Sequence, residues 1–267
     1  MQTTPRRAVL VSRGDSGVVT LTLNRPEKKN AIHTEMWHEI IDVLDEVAES
    51  RDDRVLVITG AGDAFTSGAD LTAVGAESAV QGAGGALHSM RIVGRCALRL
   101  HDLPKPTIAK VNGVAVGAGC NLALGCDLIV ASDTARFSEI FARRGLSLDF
   151  GGSWLLPRLI GLHKAKELAF LADVISAAEA ARFGIVNRVV PAAELDAEVA
   201  ALAERIAKQP PVQISITKKL LNQSLSVSMA EAVEFEDVAQ SLAFSSRDTA
   251  EAMLAFVQKR EPNFTGE

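Results

Sequence analysis

The sequence has few cysteines and no pair of them at a metal-binding or redox spacing. Its three cysteines, Cys96, Cys120 and Cys126, form no Cys-x-x-Cys motif, and their odd number leaves one unpaired. Small secreted scaffolds instead carry an even set of closely placed cysteines. We therefore expect reduced thiols and a protein that works in a reducing compartment, the cytoplasm.

Long hydrophobic runs are also absent. No apolar stretch approaches the roughly 18 residues of a membrane-spanning helix. The opening segment MQTTPRRAVLVSRGDSG contains only a four-residue apolar run, too short for the core of a secretory signal peptide. Its arginines leave a transit peptide open as an alternative. We expect no membrane partner.

The chain has no excess of basic charge. Its 267 residues carry a net charge of −5 at pH 7, which argues against a nucleic-acid partner. Hydrophobic residues make up 48% and charged residues 23%, an ordinary globular composition. A chain of this length buries roughly 70–75% of its unfolded surface, so it needs no disulfide or metal staple.

Several common catalytic motifs are missing. There is no phosphate-binding loop of the type G-x-x-x-x-G-K-[ST]. The stretch GVAVGAG resembles a dinucleotide fingerprint, but Leu122 stands where the third glycine belongs. His38 and Glu39 begin an H-E-x-x-H pattern that Asp42 breaks, and the five histidines show no ligand spacing, so we expect no metal site. The stretch GGSWL lacks the closing glycine of a nucleophile elbow.

The first half of the chain alternates between strand and helix patterns. The runs AVLVS and VVTLTL around RGDSG predict a hairpin, and RVLVITG, TIAKVNG and DLIVAS predict buried strands. Thr34 is predicted to cap a helix with apolar residues at the 3.6-residue period, and a further helix is predicted over 118–125. Residues 60–95, rich in Gly, Ala and Ser, predict a mobile loop with short helices. This alternation predicts an α/β fold built of βαβ units.

Helices are predicted to dominate from residue 153 onward. Ser176 with Glu179, and Ser228 with Glu231, have the spacing of capping boxes that open helices. One late strand, VNRVV, interrupts the helical pattern. The last predicted helices cover residues near 194–208, 212–226, 228–244 and 246–259.

Two glycine-rich junctions each follow a predicted buried strand. AFTSGADL (64–71) follows the first strand, and GVAVGAGCNLAL (113–124) follows the second. One backbone N–H from each turn, converging on a single oxygen, would form an oxyanion hole without side chains. Such a hole suits a thioester carbonyl that becomes an enolate. The alternative is that both are simple tight turns of an α/β fold.

These residues resemble the crotonase family, the enoyl-CoA hydratase/isomerase superfamily. The matching stretches are LTLNRPEKKNAI, RVLVITGAGDAFTSGADL and KPTIAKVNGVAVGAGCNLALGCDLIVAS, followed by FSEIFARRGLSLDFGGSWLLPRLIG, ISAAEAARFGIVNRVV and AMLAFVQKREPNF. They cover about residues 9–264 in order, which makes the resemblance far more specific than any single motif.

The resemblance implies an α/β spiral of ββα repeats with a helical C-terminal trimerisation region. It places the core with the acyl-CoA site in residues 1–200 and the oligomerisation region in residues 201–267. It further implies a homotrimer or a dimer of trimers, an acyl-CoA substrate, and no cofactor besides the coenzyme A of that substrate. Apolar residues of the last helices, such as Val233, Val238 and Leu242, would pack between subunits.

The resemblance also assigns residues to the site. The oxyanion-hole amides would be those of Ala69 and Ala118. The alternatives are that Phe256 only packs a helix and that Lys28 and Lys29 lie in a solvated loop. The positions matching the CoA-binding segments are Lys28, Lys29, Ser67, Asp70, Leu71, Phe256 and Lys259.

Both glutamates of the family's hydratases are missing. Water addition needs a base for the water and an acid for C2, which a pair of carboxylates supplies. This chain has Asn121 at the first position and, in register with Gly145, Phe141 at the second; both are expected to face the substrate. Glu139 lies two residues off that register, and we interpret it as a turn or surface charge; the alternative is that it enters the site.

Asp149 remains as the candidate base. Isomerase members of the family, including ring-opening epoxyphenylacetyl-CoA isomerases, carry an Asp or Glu at this position, and GLSLDFGGSWLLPRLIG resembles the latter group. Phe141, Phe150 and Trp154 are expected to line Asp149 and raise its pKa by desolvation. The alternative is that Asp149 only caps a helix beginning near Gly151.

A single carboxylate suits double-bond isomerisation, because one group can take a proton from C2 and return it to C4. We therefore predict an enoyl-CoA isomerase. The alternatives are an enoyl-CoA hydratase, an isomerase of a ring-containing acyl-CoA, and a non-catalytic acyl-CoA-binding protein.

Overall fold

The computed structural model describes residues 7–267; within the helix that starts at residue 71, side chains are described only from residue 84 onward. The strands are β1 (Val9–Arg13), β2 (Val18–Leu23), β3 (Val55–Gly60), β4 (Ala64–Thr66), β5 (Thr107–Val111), β6 (Val114–Val116), β7 (Leu128–Ser132), β8 (Arg136–Ser138), β9 (Ile175–Ser176) and β10 (Arg188–Val190). The helices are α1 (Thr34–Glu49), α2 (Leu71–His101), α3 (Ala118–Leu124), α4 (Gly152–Ile160), α5 (Leu162–Leu171), α6 (Ala177–Phe183), α7 (Leu195–Ala207), α8 (Pro211–Gln223), α9 (Met229–Phe244) and α10 (Arg247–Gln258).

The larger sheet has the strand order β1-β2-β3-β5-β7-β10. Strands β1 and β2 form the antiparallel hairpin predicted from the sequence, and the other neighbours are parallel. In β2, Val19, Leu21 and Leu23 are buried, and the residues between them are less so, as expected for a strand with one covered face. Every residue of β3 is buried, because a central parallel strand is covered on both faces.

The chain forms its spiral by alternating between the larger sheet and a second, smaller sheet. Its order is β4-β6-β8-β9, and β4, β6 and β8 are parallel. The pairs β3–β4, β5–β6 and β7–β8 each place their first strand in the larger sheet and their second in the smaller one. Helices α2 and α3 follow the first two pairs. This repetition confirms the predicted α/β spiral of ββα units.

Two sequence-based expectations about helices need correction. The cap of α1 is His33, whose Nδ1 accepts from the Met36 amide at 3.2 Å, and Thr34 is the first helical residue. Residues 71–101 form one helix, α2, where a mobile loop with short helices was predicted. Packing explains the second difference, because Ile92, Val93, Cys96 and Leu100 supply a helical stripe to the main core.

The helices after β10 differ in how much of their apolar surface is buried. In α7, Leu195, Val199, Leu202 and Ala203 pack against the larger sheet. The predicted boundary at residue 200 falls inside this helix, and the division into two regions remains a prediction. Both predicted capping boxes are present, at Ser176 and Ser228. Large apolar side chains beyond α7 are exposed, among them Leu221, Leu225, Met229, Val233, Val238, Leu242, Phe244, Met253, Phe256 and Val257.

In the part of the chain that the structure describes, no helix combines the length and the apolar character required to cross a membrane. The same residues include no group of three or more His, Cys, Asp or Glu side chains arranged to hold a metal ion.

Candidate active site

The two glycine-rich junctions predicted from the sequence meet at one cavity of about 350 Å³. Each junction contains a short strand of the smaller sheet, β4 or β6, followed by its glycine-rich turn, and these two strands are parallel neighbours. Their carboxyl ends therefore lie side by side. The lining residues are Ala31, Ser67, Gly68, Ala69, Asp70, Val116, Gly117, Ala118, Ile140, Phe141, Arg144, Leu146 and Asp149.

In the first turn, hydrogen bonds to residue 32 orient the peptide before Ala69. The Gly68 carbonyl accepts from the Ile32 amide at 2.8 Å, and the Asp70 amide donates to the Ile32 carbonyl at 2.9 Å. The C=O and N–H of one planar trans peptide point in opposite directions. The Ala69 N–H, which shares a peptide with the Gly68 carbonyl, therefore points away from Ile32.

The second turn orients Ala118 in a similar way. The Gly117 carbonyl accepts from the Asn121 amide at 3.0 Å and begins α3. The Ala118 N–H, in the same peptide, therefore points out of the N-terminus of the helix, where amides have no partner within the helix. Gly117 has φ 56° and ψ −127°, a backbone conformation that favours glycine.

Glycines allow the two turns to touch. A Cβ on Gly68 would lie 2.6 Å from the Val116 carbonyl oxygen and 3.3 Å from the Ala118 nitrogen. A Cβ on Gly119 would lie 2.5 Å from Cγ2 of Thr66 and 3.2 Å from the Gly68 nitrogen. Only a glycine at each position permits this approach, which brings the peptides of Ala69 and Ala118 to the same cavity.

Asp149 lines this cavity with a poorly solvated carboxyl group. Its Oδ1 is buried and has no hydrogen-bond partner among the described residues. Burial raises the pKa of Asp149 to about 6, and the nearby Asn121 amide partly offsets that rise. The capping alternative is wrong, because α4 begins at Gly152 after Gly151 and no side chain caps it.

Asn121 lies behind Asp149. Its Nδ2 donates to the Asp149 backbone carbonyl at 3.0 Å, and its side chain is fully buried. Asn121 was expected to face the substrate, but it is absent from the cavity lining, whereas Phe141 lines the cavity as expected. A Cβ on Gly152 would lie 2.4 Å from Nδ2 and Oδ1 of Asn121, so the absence of a side chain at 152 makes room for the amide.

Glu139 is buried, which contradicts its interpretation as a turn or surface charge. It is 3% exposed, and neither carboxyl oxygen has a hydrogen-bond partner among the described residues. Burial raises the pKa of Glu139 to about 7; Cys120 and Asn121 act to lower this pKa, and Asp149 acts to raise it. The cause is tertiary: the preceding Ser138 carbonyl accepts from the Gly117 amide at 2.9 Å, which holds residue 139 against α3.

Comparisons with known proteins identify the family. Residues 13–267 match the family described as enoyl-CoA hydratase/isomerase. The chain is 37% identical to the 1,2-epoxyphenylacetyl-CoA isomerase of Escherichia coli, covering 96% of this chain and 98% of that protein. It is 35% identical to the short-chain-enoyl-CoA hydratase of Clostridium acetobutylicum, covering 91% and 92%.

The chain belongs to the enoyl-CoA hydratase/isomerase family. The crystal structure of an enoyl-CoA hydratase from Bacillus anthracis superposes with a TM-score of 0.93 at 30% identity, covering 98% of this chain and 100% of that one. The fold is therefore the crotonase fold, and the chain is an enzyme of a family whose named members include both isomerases and hydratases.

Within this family fold, Arg25 supports the first turn. Its Nη1 lies 3.0 Å from Oδ2 of Asp70 and donates to the Ala31 carbonyl at 2.5 Å. Asp70, which was matched to the CoA-binding segment, lines the cavity and forms this largely buried ion pair. No motif indicated a role for Arg25 in advance, although it lies in the family-like stretch LTLNRPEKKNAI.

The other residues matched to the CoA-binding segments of the family do not all line the cavity. Ser67 lines the cavity, and its Oγ donates to the Lys28 carbonyl at 3.4 Å. Lys28 and Lys29 are exposed outside the lining, as the solvated-loop alternative predicts, and the Lys29 Nζ lies 2.5 Å from Oδ2 of Asp63. Leu71 begins α2, but its side chain lies outside the described residues.

Phe256 and Lys259 lie at the end of α10, outside the cavity lining. Phe256 is 83% exposed on this chain. Both its proposed contact with coenzyme A and the alternative that it only packs a helix remain predictions. Lys259 follows the helix in a left-handed conformation with φ 55°.

Two aromatic residues expected beside Asp149 point elsewhere. The Phe150 ring packs on Trp37 in the core, with ring centroids 5.4 Å apart. The Trp154 ring contacts His101 edge-on at 5.2 Å, and Arg158 stacks on it. Phe150 has a left-handed backbone with φ of 46°. Its side chain therefore points toward Trp37 in the core, whereas Asp149 lines the cavity. The apolar wall comes instead from Val116, Ile140, Phe141 and Leu146.

Proposed function

We propose that this protein is an enoyl-CoA isomerase that moves a double bond of an acyl-CoA thioester from C3–C4 to C2–C3. One observation carries the proposal: a poorly solvated carboxyl group, Asp149, lines the same cavity as two glycine-rich turns. Asp70 also lines the cavity but is ion-paired with Arg25. The second hydratase position holds Phe141, whose ring has no proton to exchange.

In the proposed reaction, the amides of Ala69 and Ala118 donate to the thioester oxygen. Asp149 takes a proton from C2, and the C–H electron pair forms the enolate. The electrons then return from the enolate oxygen, the double bond forms between C2 and C3, and C4 receives the proton from Asp149. Backbone donors placed where negative charge develops are each worth about 10²–10³ in rate.

The environment of Asp149 fits this role. A carbon acid next to a thioester is weakly acidic, so a stronger base removes its proton more readily. Burial raises the pKa of Asp149 to about 6, which increases its basicity and leaves it largely ionised at pH 7.

The coenzyme A portion would lie along Lys28, Lys29, Ser67, Asp70 and Leu71. We further propose that Phe256 and Lys259, which lie outside this cavity lining, contact the adenine end bound by a neighbouring subunit. The exposed apolar residues of α8–α10 support a homotrimer or a dimer of trimers, because exposed apolar patches mark interaction surfaces. No cofactor is proposed besides this coenzyme A, and three unpaired, buried cysteines support a cytoplasmic location.

A hydratase is the second candidate, and Glu139 is the observation that favours it. Hydration uses two carboxyl groups, and Glu139 is a second buried carboxyl near Asn121 and Asp149. Glu139 does not line the cavity, however, so a water molecule between the two carboxyls has no evident access to substrate. The position of Glu139 therefore favours isomerisation.

A product assay separates the candidates. Purified protein is incubated with 3-enoyl-CoA, 2-enoyl-CoA and an epoxide of a ring-containing acyl-CoA, and products are identified by mass and absorbance. Isomerisation converts 3-enoyl-CoA to 2-enoyl-CoA without mass change, whereas hydration adds one water to 2-enoyl-CoA. Efficient hydration without isomerisation would reject the proposal. Calorimetry with the CoA ester and its free acid separately tests binding, and equal affinity would count against a CoA site.

A further inference from the structure

Asn121, Glu139 and Asp149 form a cluster of buried oxygens without donors. The Oδ1 of Asn121, both carboxyl oxygens of Glu139 and the Oδ1 of Asp149 are all buried, and none has a hydrogen-bond partner among the described residues. An amide oxygen and an ionised carboxylate only accept hydrogen bonds. Buried polar groups in native proteins are almost always satisfied, and a proton on one of the two carboxyls would supply a donor inside the cluster.

The orientation of the Asn121 amide shows that its Oδ1 is the acceptor that requires a hydrogen-bond donor. Its Nδ2 donates to the Asp149 backbone carbonyl, and a carbonyl can only accept, so the amide nitrogen must face this segment. The donor for its Oδ1 must therefore come from a group other than the Asp149 segment. The close approach of Gly152 to the amide leaves little space for it to move.

We propose that Glu139 is a positioning residue that carries a proton and donates it in a hydrogen bond to Oδ1 of Asn121, which in turn holds the segment bearing Asp149. The inference rests on the proposed role of Asp149 as the base. Glu139 touches no substrate in this arrangement and exchanges no proton with it. Its neutral carboxyl supplies the O–H donor for Oδ1 of Asn121.

The surroundings of Glu139 favour the neutral form. It is almost fully buried, and desolvation penalises its ionised form most. Two titratable groups influence it. Cys120 on α3, whose own pKa is raised well above its usual value by burial, acts to lower the pKa of Glu139, and Asp149 before α4 acts to raise it; desolvation is the largest effect. The negative charge of an ionised Asp149 further discourages a second charge at Glu139.

Two substitutions separate hydrogen bonding from charge. Glu139→Gln keeps a donor, since its amide can replace the protonated carboxyl, whereas Glu139→Leu removes it. We expect Glu139→Gln to retain near-wild-type kcat. Glu139→Leu should lose up to about 10² in kcat with little change in KM, the typical loss when a reacting group shifts by about an ångström. Glu194→Gln on the exposed surface is the matched control, with no expected change.

Infrared difference spectroscopy tests the protonation without reference to turnover. At pH 6 the spectrum of the wild type minus Glu139→Gln should show the C=O band of a neutral carboxylic acid, and the Glu194→Gln difference should lack it. Absence of this band overturns the proposal, as does full kcat in a folded Glu139→Leu variant. Equal inactivity of Glu139→Gln and Glu139→Leu also overturns it, because Glu139 would then act through a proton or charge of its own. If the wild type isomerises nothing, the proposed function fails, while the band still decides the state of Glu139.

Discussion

The Asn121 side chain donates through Nδ2 to the backbone carbonyl of Asp149 at 3.0 Å, joining residues 28 positions apart. Asn121 belongs to the helix that follows the second glycine-rich turn, and Asp149 belongs to the loop before α4. The element that presents the Ala118 amide is therefore tied directly to the segment that carries the proposed base. We therefore expect a change at either residue to shift the Asp149 segment relative to the turn that carries Ala118.

Replacing Asp149 with Asn should separate chemistry from structure. The amide keeps the shape of the carboxyl but cannot take a proton near neutral pH. We expect isomerase kcat to fall by about 10² or more, the lower range for loss of a general base. The melting temperature should not fall, because Asp149 caps no helix. Unchanged turnover in the product assay would reject Asp149 as the base.

The pH dependence of isomerisation should report Asp149. Its pKa is raised by burial to about 6, so the ionised, basic form is lost as the pH falls through that value. We expect kcat/KM to rise with pH around 6 and to level off above it. The same profile measured with Glu139→Gln serves as the control. A profile that is flat between pH 5 and about 8 would contradict this assignment.

Ala69→Pro should remove one proposed oxyanion donor, because proline has no N–H. The Ala69 amide takes no part in the bridge to Ile32, so the substitution leaves those hydrogen bonds available. We expect kcat to drop by at least about 10². Ala69→Gly, which retains the amide, is the matched control and should remain active. Near-normal turnover of a folded Ala69→Pro protein would show that this amide is not a donor.

Gly152→Ala should disturb the Asn121–Asp149 contact. The added Cβ would lie 2.4 Å from the Asn121 amide, so either Asn121 or the start of α4 must move. We expect a drop in kcat of up to about 10² and a lower melting temperature. Gly94→Ala on α2 is the matched control, because among the described residues no atom outside the adjoining backbone of that helix lies within 4 Å of the new methyl group. Equal activity of the two variants would mean that the contact is not important.

The exposed apolar surface of α9 should lie between subunits. Val238 is 59% exposed and Leu242 is 61% exposed, an unfavourable arrangement for an isolated chain. We expect light scattering at micromolar concentration to give a trimer or a hexamer, and Val238→Glu to shift the mass toward the monomer. Leu10→Glu on β1, another exposed apolar position, is the control. A monomeric wild type would reject the proposal.

Much of this protein follows from local signals that a sequence carries on its own. The β1–β2 hairpin and the capping boxes at Ser176 and Ser228 depend on residues a few positions apart, and the structure contains all three. Ordered motifs such as SGADL and GAGCN were enough to indicate the crotonase family. Asp149 was also identifiable from its place in that pattern.

Tertiary packing alone decided the rest, because burial depends on residues far apart in the chain. Glu139 looks like any charged residue before a turn, yet the Ser138–Gly117 hydrogen bond places it against α3, where burial raises its pKa. Phe150 faces the core because its backbone turns, which no periodicity indicates. The pattern of motifs along the chain was therefore enough to indicate the fold and the position of the proposed base. Only the folded chain decided which polar groups surround that base, since an Asn121 amide can reach Asp149 only after the second turn and α4 have packed together.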